Sequence, residues 1–396
     1  MSTDTASLTP TRTALSAPAV LFMSVAAALG TSTIYPMQPA IADVARSLDT
    51  QIPAIGIALA FGPVGYLIGL GLLVPLVDRF SPARVLAVQF GVLACALGAS
   101  AVVPGAMLLG AAVGLVGACS AVGASLSSVT GRLAPPQQRG AALGLVTAGI
   151  SAGVLAGRTV GGWLADEIGW REMLLTFAAA CGVVAVCCLL ALPSTRGTAE
   201  RGYLATLRSL PGLFVRHPAL RLASVCGSLW FFAFCVVWAG IAVALSEPPF
   251  SFSAERIGLY SLAGLSGILA TQAAGHATDR VGARPVILVG LALAGSAAVT
   301  LGFSLENVAV ALICLAIFDA GLFAAQVANQ STVLAIDPSA PARFNSAYML
   351  VYFVGGSLGT AAGAATVEWF GWLSTAAIAA AAIGVAATLT MLLRRG

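Results

Sequence analysis

The feature that most constrains this chain is the recurrence of long stretches without a charged side chain. The extreme case is the 47 uncharged residues between Arg84 and Arg132. A helix needs about 20 apolar residues to cross roughly 30 Å of hydrocarbon, and lipid admits only helices and closed barrels, which satisfy their own backbone. Bounding the apolar runs at Arg, Asp, Glu, Pro or Gly predicts twelve spans, at 17–40, 52–76, 85–103, 105–131, 140–165, 173–192, 219–245, 257–278, 285–304, 308–335, 345–367 and 371–393. Pro104-Gly105 divides the longest uncharged stretch into the third and fourth spans. Residues that are 59% hydrophobic and only 9% charged exclude a soluble fold, which carries about 25% charge. The 44 glycines agree, because small residues let membrane helices approach closely. The expected class is an all-α membrane protein.

All 19 basic residues are Arg. With the N-terminus placed inside, 15 of them fall on the inner side and only Arg46, Arg171 and Arg256 on the outer, while Arg158 lies within a span. Positive charge favours the cytoplasmic side, so both termini are expected in the cytoplasm and the protein in the inner cell membrane. The expected organisation is a tail over 1–16, a bundle over 17–192, a cytoplasmic linker over 193–218 and a second bundle over 219–396. The first apolar run is too long for a signal peptide core of about 7–15 residues, so the tail is expected to be retained. The absence of Lys removes the phosphate-binding loop of an ATPase. All eight cysteines lie in apolar stretches without metal-ligand spacing, which reads as buried hydrophobes and predicts no metal site and no cofactor.

The chain repeats itself. Asp78-Arg79 follows the second span and Asp279-Arg280 follows the eighth, 201 residues later. Gly153, Gly157 and Gly161, with Gly169-Trp170 beyond them, return 202 residues on as Gly355, Gly359 and Gly363 with Gly371-Trp372. Two such pairs at nearly one offset indicate duplication of a six-helix unit.

At these residues the chain resembles the major facilitator superfamily, whose signature is a G-x-x-x-D-R-x-G-R-R-like loop between helices 2 and 3, often echoed between helices 8 and 9. The second copy, Gly275 through Arg284, is close to the pattern; the first has Val74 and Ser81 where the pattern has Gly. Gly153, Gly157, Arg158, Gly161 and Gly162 resemble a glycine-rich antiporter motif, with Arg158 in place of its Pro. Tyr35-Pro36-Met37-Gln38-Pro39 is similar to a pattern of the drug- and sugar-efflux branch. Val113 stands near where the proton antiporters carry an intramembrane Arg. The resemblance implies twelve helices in two pseudo-symmetric six-helix bundles, and a monomeric transporter working by alternating access. It further implies proton-coupled efflux of a drug-like or sugar-like solute, with a proton-coupled uptake symporter or a facilitator of a small metabolite as the alternative. It also implies gating by the loop residues Asp78, Arg79, Arg84, Asp279, Arg280 and Arg284. Carboxylates there can face the positive N-termini of helices 11 and 5.

A charge at membrane depth costs at least about 2.5–3.5 kcal/mol, so it marks function by default. Asp319, in the middle of span ten, reads as a protonatable coupling site, and Arg158 as a substrate or charge-relay residue; alternatively the two form a structural ion pair. In the resembling family spans one, four, seven and ten line the cavity. Helical spacing puts Thr31, Tyr35 and Gln38 on one face of span one, and Asp319, Gln326 and Gln330 on one face of span ten, with Asn329 beside them. Trp230, Phe234 and Trp238 form an aromatic stripe in span seven that either stacks a flat solute or packs against neighbours. The expected partners are a small-molecule solute, protons and the lipid bilayer, with no nucleic acid.

An intramembrane enzyme is the main rival. Gly264-Leu265-Ser266-Gly267 formally matches the G-x-S-G pattern of rhomboid proteases, but that chemistry needs a His on another membrane helix. His217 lies in the linker, and His276 lies on the same helix, about 15 Å along from Ser266. A receptor or scaffold would be expected to carry an appended soluble domain. The sequence therefore predicts a transporter and no enzyme.

Overall fold

The computed structural model describes residues 17–135, 138–192, 211–337 and 341–392, and the regular elements among them are all helical. The expected tail over 1–16 and most of the expected linker lie outside the described residues. The first half holds α1 (Ala17–Ser32), α2 (Ile41–Ser47), α3 (Ile52–Leu72), α4 (Leu76–Arg79), α5 (Pro82–Val102), α6 (Ala106–Ser120), α7 (Val122–Leu133), α8 (Arg139–Ile168) and α9 (Trp170–Ala191). The second holds α10 (Pro218–Ser246), α11 (Ala254–Leu259), a 3₁₀ turn (Tyr260–Gly264), α12 (Leu265–Val281), α13 (Ala283–Phe303), α14 (Val308–Ala335) and α15 (Pro341–Leu392).

Ten helical runs among the described residues are long and apolar enough to cross a membrane. The longest, Arg343–Leu392, is two crossings joined at Gly371, whose φ of 78° breaks the helix. Counting the shorter apolar helix α1 as well, the described helices are consistent with the expected twelve. Helix α1 stops eight residues before the predicted end of the first span, because Pro36 and Pro39 cannot continue a helix and restrict the residues before them. Residues 33–40 run through turns instead. Within the expected linker, residues 211–216 are helical, and Leu213 is buried in a small cluster with Leu220, Phe344 and Tyr348.

Packing repeats with the sequence. In the first half α1 packs on α8, α3 on α6, and α5 on α9; in the second, α10 packs on α15, and α12 and α13 on α14. A Cβ added to Gly153, Gly157 or Gly161 would overlap the backbone of Ala28, Ser32 or Pro36. A Cβ on Gly355, Gly359 or Gly363 would overlap the backbone of Ser228, Phe232 or Val236. The glycines recur 202 residues apart and their partners 200 apart, so the same close crossing is built twice in one register. The two halves join through α8 against α11 and α3 against α15.

Candidate functional site

Between the halves lies a cavity of about 520 Å³, within the range of about 300–1,000 Å³ for small-molecule sites. Its walls come from equivalent positions. Thr31, Ile34 and Tyr35 are matched 200 residues on by Phe231, Phe234 and Cys235. Thr147, Ile150, Ser151 and Arg158 are matched 202 residues on by Met349, Tyr352, Phe353 and Thr360. The first half supplies the cation and most of the hydroxyls to this cavity, and the second supplies five aromatic rings against two from the first. Thr31 Oγ1 is buried with no hydrogen-bond partner among the described residues.

Arg158 is 5% exposed. Its Nε donates to Gln38 Oε1 at 2.7 Å, and its guanidinium carbon stands 4.9 Å from the Tyr35 ring centre, 4.5 Å from Trp238 and 5.7 Å from Phe234. Cation–π contacts of this kind strengthen as water is removed. The turn after α1, rather than a continuous helix, is what brings Tyr35 and Gln38 to the arginine.

Asp319 is 2% exposed and does not line the cavity. Its Oδ1 accepts from Trp238 Nε1 at 3.1 Å, so one indole touches the carboxylate through its edge and the guanidinium through its face. No ion pair joins Arg158 to Asp319 among the described residues. A Cβ on Gly264 would sit 2.9 Å from Asp319 Oδ2, and one on Gly267 would sit 2.8 Å from the Phe323 ring. The Ser266 hydroxyl is taken up by the carbonyls of Ala263 and Ala316. The protease-like tetrapeptide is thus a packing face against α14.

Of the aromatic stripe, Phe234 walls the cavity, Trp238 is committed to Arg158 and Asp319, and Trp230 donates to Gln326 Oε1 at 3.2 Å. Gln326 also accepts from Tyr348 at 2.6 Å. Gln326 and Gln330 reach the cavity, and Gln330 donates to Asn345. Asn329 turns away and donates to the Ala223 carbonyl.

The loop residues are divided. Asp78 accepts from Ser128 at 3.2 Å and from Arg132 at 3.4 Å, within its own half, rather than facing the helix that begins near residue 341. Arg284 donates to the Met391 carbonyl at 2.6 Å. Asp279 and Arg280 are exposed. Arg84 lines a separate groove on the outer surface of the bundle.

The halves meet at the end of the molecule opposite these loops. Gly258 lies against the Arg158 carbonyl, with an added Cβ 2.6 Å from it, and Thr159 Oγ1 and Ser261 Oγ are 2.8 Å apart. Asp166, at the end of α8, accepts from the backbone N–H of Ala254 at 3.0 Å and of Glu255 at 2.8 Å. It caps the N-terminus of α11 across the joint between the halves. Nearby Asp43 is raised above the ordinary carboxylate range by burial first, with Arg46 drawing it down and Asp166 pushing it up. These contacts join the two halves at the Asp166 end of the cavity. Sequence reading missed Asp166; the available signal was a carboxylate closing a glycine-rich span, near a helix start at Ala254.

The family model described as Major Facilitator Superfamily matches residues 20–252. The chain belongs to this superfamily. Among its relatives in the superfamily is YgaY, an uncharacterized transporter of Escherichia coli O157:H7, 29% identical over 361 residues that cover 90% of this chain and 91% of the relative. A probable transporter of Streptomyces coelicolor is 31% identical over 358 residues, 89% of this chain and 82% of the relative. Solved structures share the fold at low identity. The nucleoside transporter NupG has a TM-score of 0.77 at 14% identity over 94% of this chain and 98% of that one. A bacterial homolog of the human lysosomal transporter Spinster, inward-facing and unoccupied, scores 0.75 at 14% identity over 98% and 99%. A major facilitator protein of this kind is a membrane transporter of small solutes and not an enzyme.

Proposed function

We propose that the protein is a secondary active transporter that carries a small organic anion with a flat apolar body, together with a proton, across the cytoplasmic membrane by alternating access. The observation that carries this reading is Trp238, whose indole joins buried Asp319 to cavity-lining Arg158. Ionised Asp319 and the solute's negative group compete for the same cation. Unit charges roughly 8 Å apart interact by about 2 kcal/mol at an effective dielectric of about 20. Protonating Asp319 removes that competition, so proton and anion bind with positive linkage, and linkage is reciprocal. Positive linkage is the thermodynamic condition for symport; exchange needs the proton and solute to exclude one another. The geometry therefore favours symport, inward along the proton gradient, over the efflux of a drug-like or sugar-like compound implied by the glycine-rich fifth span and Tyr35 to Pro39. The ring-lined wall suits a flat body better than a sugar.

The arginine excess supports placing the Asp-Arg loops in the cytoplasm, and with the halves joined at the opposite, Asp166 end we read the cavity as facing the cytoplasm. Asp78 and Asp279 then act in the opposite state, when the loop end closes. One copy encloses the whole cavity, which supports a monomeric unit in the inner membrane.

The test is solute binding and transport in proteoliposomes with a panel of aromatic carboxylates. Wild type should bind roughly 30-fold tighter with Asp319 protonated, the equivalent of about 2 kcal/mol. Asp319→Asn should bind tightly at every pH and lose gradient-driven accumulation while keeping exchange. Weaker anion binding at acid pH, or undiminished accumulation by Asp319→Asn, overturns the reading. So does a neutral solute such as a nucleoside carried equally well by wild type and Arg158→Gln.

A further inference from the structure

On the lipid-facing surface of the first half, α3, α5 and α6 enclose a groove of about 640 Å³. Its length is apolar, lined by residues such as Ile68, Leu72, Val88, Val92 and Leu115. Its loop end carries Ser81, Arg84 and Gln89. The Gln89 amide is spent, donating to the Cys119 carbonyl and accepting from Ser125. Ser81 is 8% exposed, caps the N-terminus of the 21-residue α5 without making a side-chain cap bond, and its Oγ has no hydrogen-bond partner among the described residues. With Pro82 at the first helical position, the N–H groups of Ala83 and Arg84 belong to the first turn, which lacks intrahelical acceptors and favours an anion. Arg84 is exposed beside them, and no carboxylate lines the groove. The nearest acid, Asp78, is engaged by Ser128 and Arg132.

We propose that this groove is a binding site for one anionic phospholipid, its phosphate held by Arg84, Ser81 Oγ and the N-terminus of α5, and its acyl chain laid along the apolar channel. The occupant is a lipid rather than free phosphate because the anion-binding corner opens into an apolar trough on the face of the bundle that meets the bilayer. The duplication supplies a control. Between α12, α13 and α14 lies the corresponding groove, of about 390 Å³, where Val281, Pro285, Val286, Val289 and Leu293 stand 201 residues after Phe80, Arg84, Val85, Val88 and Val92. Gly282 takes the place of Ser81, with a φ of 87°, and no polar side chain lines that groove. Arg284, beside Pro285, is drawn off to the Met391 carbonyl. The second groove accepts acyl chains without selecting a headgroup.

The full chain in nanodiscs, titrated with spin-labelled phosphatidylglycerol and phosphatidylcholine, tests this. Phosphatidylglycerol should be retained at one site per protein and be preferred over phosphatidylcholine by about tenfold. Arg84→Gln and Ser81→Ala should each lower that preference, and the pair should abolish it, with thermal unfolding midpoints unchanged. Pro285→Ala in the second groove should leave the preference intact. Equal retention of the two lipids, or unaltered preference in the double variant, overturns the proposal. Displacement of phosphatidylglycerol by inorganic phosphate shows a soluble-anion site and overturns it, as does protection of the groove by a second copy of the chain.

Discussion

Removing the Asp166 carboxylate should loosen the closed end of the transporter. Asp166→Ala deletes two hydrogen bonds, of 3.0 and 2.8 Å, that one half donates to the other through the first N–H groups of α11. A carboxylate cap contributes about 1 kcal/mol, and a negative charge at the positive end of a helix adds about 0.3–1 kcal/mol. Asp166 is exposed, so the sum stays near 1–2 kcal/mol, a factor of roughly 5–30 in the population open at that end. The assay uses a cysteine-free background with Thr159→Cys and Ser261→Cys, whose parent oxygens are 2.8 Å apart. Each single cysteine should react with a membrane-impermeant maleimide roughly 5–30-fold faster once Asp166→Ala is added, and the double variant should form its disulfide in a smaller fraction of molecules during a brief oxidant pulse. Asp166→Asn, which keeps an acceptor oxygen, should fall between. Labelling and cross-linking rates that do not move in Asp166→Ala would refute the claim that this cap holds the joint.

The close helix crossings predict a sharp contrast among glycines. Gly153→Ala and Gly359→Ala force a Cβ into the backbone at Ala28 and Phe232, and each should cost about 1–3 kcal/mol; Gly91→Ala and Gly98→Ala, which meet open space, should gain about 0.5–1 kcal/mol, all read from thermal unfolding in detergent. Arg158→Lys keeps the charge but loses the planar fork that bonds Gln38 and stacks on Trp238. Solute affinity should fall by at least about tenfold while its pH dependence persists, whereas Arg158→Gln should lose both.

The span pattern was legible because desolvation in hydrocarbon imposes one rule on every crossing: long uncharged runs bounded by charges, Pro or Gly. The helices Val308–Ala335 and Pro218–Ser246 match the expected spans to within a residue. The end of α1 was not legible in the same way. Residues 33–40 remain apolar enough to pass as helix, and only the paired prolines record the break. The depth of Arg158 and Asp319 was readable from the cost of burying charge, but the indole between them was not, since Trp238 looks like one more aromatic until three dimensions place its edge and face against opposite charges. Asp78 shows the limit of carrying a role over by motif. Its carboxylate accepts from Ser128 and Arg132 of its own half, a pairing that the motif does not record.

Duplication and divergence together make this cavity asymmetric, as the proposed binding of one solute in one orientation requires. The backbone of both halves is fixed by the same glycine crossings, so equivalent positions come together around Arg158: Tyr35 with Cys235, Gln38 with Trp238, Arg158 with Thr360. Strict symmetry would give a site that binds a solute equally well in two opposed orientations. Here the side chains at these positions have become complementary instead. Gln38 from the first half takes the Nε of Arg158, while its counterpart Trp238 from the second takes the guanidinium face and passes contact on to Asp319. The arginine is therefore held by both halves at once. Under the proposed alternating access, rocking that opens the Asp166 end would carry Gln38 with Arg158 and Trp238 with the other half, so the guanidinium–indole contact would stretch. In the proposed mechanism ionised Asp319 holds the indole to the second half through a charge-assisted bond about twice as strong as a neutral one, so the cost of rocking falls on the guanidinium–indole contact. On the same proposal, protonation of Asp319 would free the indole to follow the arginine, which ties proton uptake to the change of state.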